Sequence, residues 1–200
     1  MKTMRLSLLG LTSVLLISGC SIKETAQKPY SYNLSPIIKL ERFSTPNHDV
    51  LKVARVDATS GLNSRSIVYI KEGAMQPYKY GTWSETPPLK LQHLLTEALQ
   101  DQNHFSAVIS GTSMASNNLI LEPTLQHFEE VFRENGSSYV NVVLRVRLIE
   151  LKTGVVLGST KLTSHEEVTN TNGAQGTVEA FNTATAKTIK ELSSWLNSVR

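Results

Sequence analysis

The sequence predicts one α/β domain in which two main helices pack on a mixed β-sheet. Three observations predict it. Two long alternating segments, 118–134 and 138–152, flank Asn135-Gly136, a dipeptide suited to the positive-φ positions of a tight hairpin. Leu91, Leu94, Leu95, Ala98 and Leu99 recur at helical spacing. So do Val178, Phe181, Thr185, Thr188, Leu192, Trp195 and Val199, with Ile189 and Leu196 widening that stripe. No internal repeat divides the stretch 30–200, which reads as a single domain.

The elements follow in order. Residues 29–34 form a short first strand, and 35–49, with two prolines, a loop. Residues 50–56 alternate as a buried strand. Residues 66–71 and 75–80 form a hairpin about Gly73. Residues 81–88 read as a turn leading into the leucine helix, with Thr86 as N-cap and Pro87 and Pro88 tolerated in its first turn. Residues 105–109 form a strand. In the long hairpin Val140, Val142, Leu144, Val146 and Leu148 share one face, while Asn141, Arg145 and Arg147 share the other. The apolar phase of the preceding strand shifts between Leu125 and Phe128, which predicts a bulge. Residues 155–168 form a third long strand, 170–176 a flexible loop, and 177–199 the terminal helix.

Residues 1–19 have a different character. Lys2 and Arg5 precede an apolar run of about a dozen residues at 6–17, shorter than the roughly 20 that a membrane helix needs. This is the layout of a secretory signal peptide. Ile17-Ser18-Gly19-Cys20 has the form of a lipobox: a branched aliphatic residue, two small residues, then a thiol able to take a diacylglyceryl group. Cys20 is also the chain's only cysteine, so no internal disulfide forms. We therefore expect cleavage before Cys20, a lipidated tether over 20–29, and a membrane anchor made of diacylglycerol and an acyl chain. Ser21, not Asp, follows the cysteine, which by the usual sorting rule for lipoproteins favours the outer membrane. Cleavage removes two cations and no acid, so the formal charge falls from +3 to +1. A nearly neutral chain without a basic stripe gives no support for nucleic-acid binding.

Chemistry-bearing patterns are sparse. The histidines at 48, 93, 104, 127 and 165 show no metal-ligand spacing. Residues 110–113 lack the nucleophile elbow Gly-x-Ser-x-Gly, and 173–176 lack the lysine of a phosphate loop. Glu129-Glu130 and Glu166-Glu167 are adjacent pairs whose side chains point to opposite strand faces, which suits a solvated edge better than acid–base work. The expectation is a non-enzyme without cofactor or metal.

The informative stretch is 67–99. Tyr78, Tyr80 and Trp83 are three large amphipathic rings beside a proline-led helix. Two readings stand. Trp83 and one tyrosine cap the hydrophobic core, or all three rings form a partner surface of the kind in which Trp and Tyr dominate. Tyr69, Tyr78, Tyr80, Trp83, Glu85 and Pro87, followed by the helix at 91–99, resemble the ABC-type transport auxiliary lipoproteins. Phe105-Ser106-Ala107-Val108, the long hairpin through Gly136 and the terminal helix continue the resemblance. Thr82 departs from it, standing where that family often has a basic residue.

The resemblance implies an anticodon-binding-like or TolB N-terminal-like α/β fold. It also implies partnership with an MCE-domain protein and its ABC transporter, which move lipids or hydrophobic solutes between membranes, and a homo-oligomeric state. The same anchor and fold would equally serve an assembly lipoprotein of a secretion or pilus complex.

Overall fold

The computed structural model describes Lys28 and residues 30–199 apart from Thr171. The expected signal peptide and Cys20 lie outside the described residues, as does nearly all of the expected tether. Nine strands build one mixed sheet: β1 (Tyr30–Tyr32), β2 (Val50–Val53), β3 (Asp57–Ala58), β4 (Ser66–Lys71), β5 (Ala74–Trp83), β6 (Ala107–Ser110), β7 (Leu119–Phe132), β8 (Ser138–Glu150) and β9 (Val156–Glu167). The α-helices of the described residues are α1 (Pro87–Gln102) and α2 (Ala174–Val199), and a short 3-10 helix spans Ser60–Leu62. This is the single-domain mixed α/β fold that the sequence predicts.

β7 is the axis of the sheet. One side of it pairs along its length with antiparallel β8, which carries antiparallel β9. Its other side takes three short parallel partners in succession: β2, then β3, then β4. Beyond β4 lie antiparallel β5 and, parallel to that, β1; beyond β2 lies parallel β6. The strand predicted over 50–56 ends at Val53: the chain leaves β7 after the Ala54 amide donates to the Leu121 carbonyl, and it rejoins β7 at Asp57 as a separate strand. The strand predicted at 105–109 is shifted, and Phe105 is a buried residue ahead of β6.

The bulge expected between Leu125 and Phe128 is present, with the register of β7 against β8 shifting between Leu125 and His127. It keeps Leu125 and Phe128 on the same face although they are three residues apart. Val140, Val142, Leu144, Val146 and Leu148 line that face, each at most 1% exposed. Phe181, Ile189, Leu192 and Leu196 of α2 cover it, and Leu91, Leu95 and Leu99 of α1 extend the same core.

Pro87 and Pro88 start α1 without a side-chain cap from Thr86. They lack two of the amide donors that an N-terminus leaves unpaired, so less capping is needed. Asn103 ends the helix in the left-handed region. Its side-chain amide donates to the Phe43 carbonyl at 3.0 Å, which ties the 35–49 loop to the helix end. α2 begins at Ala174, inside the predicted loop. Gly176 allows this early start, since a Cβ there would lie 1.7 Å from the Asn170 carbonyl oxygen.

An aromatic cleft as the candidate interaction site

β5 does not end where the sequence predicts. It runs on through Gly81, Thr82 and Trp83, residues expected to form a turn. The strand continues because β1 lies beside it, Tyr30 opposite Gly81 and Tyr32 opposite Trp83. Against β4 the register jumps: Ser66 faces Thr82, but Val68 already faces Pro77. Residues 78–81 therefore bulge out opposite Ile67 and re-aim their side chains. Among the described residues none pairs with the other edge of 74–80, a setting in which a proline such as Pro77 is tolerated and in which Lys79 discourages edge pairing.

The bulge opens a cleft of about 340 Å³ lined by Tyr30, Tyr32, Tyr78, Tyr80 and the start of α2 at Gly173 and Ala174. Tyr80 is 42% exposed and Tyr30 61% exposed. Lys79 lies over the Tyr80 ring at 5.0 Å. Gly81 sits at the back, where a Cβ would come within 2.6 Å of the Ala174 Cβ. Only glycine lets strand and helix approach this closely without one of them moving.

Tyr78 closes the inner wall, stacked edge-on against Tyr69 at 5.1 Å. Its hydroxyl donates to Glu130 Oε2 at 2.5 Å. Thr177 donates to the same oxygen at 2.8 Å, and Ser138 donates to Oε1 at 2.5 Å. One carboxylate thus links β5, β7, β8 and α2. Glu130 is buried, its partners are hydroxyls rather than a cation, and it lies at the first turn of a long helix. Burial first, then the hydrogen bond to Glu130, push the Tyr78 phenol above its usual range, so it remains a protonated donor.

Glu129 is buried as well, on the opposite sheet face. It accepts from the Phe128 amide at 2.7 Å and from Asn141 at 2.9 Å, and lies 2.8 Å from His127 Nδ1. The expectation of a solvated edge is thus wrong for this pair, although the two side chains do take opposite faces. It holds better for the second pair, in which Glu167 meets Arg133 and Glu166 meets Lys187 at the surface.

The three rings singled out in sequence separate. Tyr80 and Tyr78 line the cleft. Trp83 is 2% exposed and packs between Phe128, at 5.8 Å, and Phe181, at 5.5 Å. It is a core residue, and its expected place on a partner surface is corrected. Sequence reasoning missed Tyr30 and Tyr32, whose alternation in the first strand was a usable signal. It also missed Glu130, which the bulge places on the Phe128 face. Among the described residues no group of three or more His, Cys, Asp or Glu side chains is placed to hold a metal ion. No described helix is long and apolar enough to cross a membrane.

Among solved structures, protein XCC0632 from Xanthomonas campestris is 19% identical with a TM-score of 0.75, the match covering 84% of this chain and 96% of that one. The hypothetical protein CT253 from Chlamydia trachomatis is 6% identical with a TM-score of 0.53, covering 76% and 98%. At these identities the likeness is one of fold. No curated protein matches the sequence. The family model for the ABC-type transport auxiliary lipoprotein component matches residues 32–193, from β1 to the last turns of α2. The chain belongs to the ABC-type transport auxiliary lipoprotein family.

Proposed function

We propose that this protein is a non-enzymatic accessory of an MCE/ABC-type system that moves lipids or hydrophobic solutes and so supports envelope integrity. Lipid on Cys20 anchors it to the outer membrane, facing the periplasm. It docks the periplasm-spanning MCE protein and works as a homo-oligomer. Anchoring concentrates the domain at one membrane, so a modest contact suffices to hold the far end of a partner.

The observation that carries the reading is the cleft. It presents exposed tyrosines beside a strand edge that no described residue pairs, a combination suited to an extended or apolar partner segment. Sealing of the Glu130–Tyr78–Ser138–Thr177 cluster supports a structural role for it, since no substrate reaches a carboxylate that is 1% exposed.

The test is affinity purification of the lipidated protein after mild cross-linking in cells, with partners identified by mass spectrometry. Recovery of an MCE protein with transporter subunits is expected. Recovery of secretin or pilin components without an MCE protein would overturn the proposal.

A further inference from the structure

The sheet has a second face. Contacts from α2 to Gly158 and Ser164 fix which residues of β9 look towards the helix. The cross-strand registers carry that assignment to β8 and β7. On the opposite face, three rows run back from the turn between β8 and β9. The first is apolar, with Ile120, Ile149 and Val156 side by side and Lys52 next to Ile120. The second places Arg147 between Glu122, at 2.9 Å, and Ser159. The third sets Arg145 directly opposite Lys161, with Thr124 and Asp57 beyond.

Leu151 and Val155 flank the turn itself, 50% and 54% exposed, and Val156 is 50% exposed. Lys152 is in the same turn. Directly opposed like charges destabilise a sheet, and the branched aliphatics at this hairpin tip leave about half of their surface uncovered by the described residues. Both features suit a surface that is apolar at its tip and anionic behind.

We infer that the β8–β9 tip docks on the surface of the membrane that anchors the chain, with Leu151, Val155 and Val156 in the headgroup–acyl boundary and Arg145, Arg147 and Lys161 on anionic lipid phosphates. This rests on the reading of Cys20 as the lipid anchor. Rows two residues apart on a strand are about 7 Å apart. The cations therefore stand about 7–14 Å behind the apolar row, and interfacial segments bury about 5–10 Å.

The chain length fits. Tyr69 lies beside Glu130, and Ser66, three residues earlier, lies in the row of Thr82 and Ser31. That row is about 25 Å from the start of β7, the end of the sheet that carries the tip. The ten Cα–Cα steps from Cys20 to Tyr30 span at most about 35 Å, so anchor and tip reach one bilayer together.

The test uses the full lipidated protein, with acylation of Cys20 read by intact mass before reconstitution, so that failure of the anchor is seen separately. With Cys20 acylated, a cysteine at Val155→Cys, or at Lys190→Cys on α2, takes a single environment-sensitive fluorophore. In phosphatidylethanolamine–phosphatidylglycerol vesicles carrying spin-labelled lipid, the probe at 155 should shift to the blue. It should also be quenched several-fold more than the probe at 190. Raised salt should relieve that difference. So should the R145E/R147E/K161E variant, once circular dichroism shows that it folds. Equal spectra and quenching at 155 and 190, or a difference indifferent to salt and to charge reversal, overturns the inference. So does protection of position 155 by an added soluble protein but not by lipid.

Discussion

Tyr80 and Trp83 stand three residues apart on one strand, yet one ring is 42% exposed and the other 2%. In sequence they look alike, two amphipathic aromatics ahead of a helix. The bulge at 78–81 separates them. Past it, β5 is enclosed between β1 and β4, and Trp83 joins Phe128 and Phe181 in the centre of the core. Within it, at 78–80, no described residue pairs with the outer edge, and Tyr78 and Tyr80 face a cleft. Aromatic composition therefore says little about interface or core until the pairing of the strand is known.

The largest expected effect breaks the core half of the comparison. Trp83→Ala should cost about 3–5 kcal/mol, because the cavity it leaves lies among stacked rings that cannot collapse freely. Thermal or denaturant unfolding reads this, and a loss under about 1 kcal/mol would place the ring outside the core after all.

Glu130→Leu comes next. It strands the hydroxyls of Tyr78, Ser138 and Thr177, and buried groups left without partners cost about 1–3 kcal/mol each, partly relieved as hydroxyls rotate towards other acceptors. The same unfolding measurement checks it, and a neutral result would mean that the cluster is dispensable.

Tyr78→Phe sharpens the boundary between the two regions, with an expected loss of about 1–2 kcal/mol at neutral pH. It also carries a pH signature. The phenol's pKa is raised on folding above its unfolded value of about 10, so its contribution is complete below that pH and falls as pH rises past it. The stability gap between wild type and variant should therefore narrow above about pH 10. A gap constant from pH 7 to 11 would argue against the buried donor.

Tyr80→Ala is the smallest change in stability, expected within about 0.5 kcal/mol. Its effect belongs to partner recovery instead, which should fall about tenfold or more.

Most of the fold was legible because it is built on periodicity. The long hairpin and the leucine helix announce themselves through spacing, and so did the bulge near Leu125, through an interrupted apolar phase. What was not legible depends on pairing at a distance. The extension of β5 to Trp83 needs β1, some fifty residues earlier in the chain. The burial of Glu130 needs Tyr78, Ser138 and Thr177 from three other elements, none at a spacing that marks a motif. The early start of α2 rests on a glycine passing over the Asn170 carbonyl, which spacing alone does not reveal.

Under the proposed function the cleft, and not the neighbouring tryptophan or the outer face of α2, meets the partner. In-cell photo-crosslinking tests it most directly, with a photoreactive residue at position 80 and, for comparison, at position 190. The account predicts capture of an MCE-domain protein from position 80 and none from position 190. Equal capture from both positions, or none from position 80 in a chain that is folded and anchored, would contradict it.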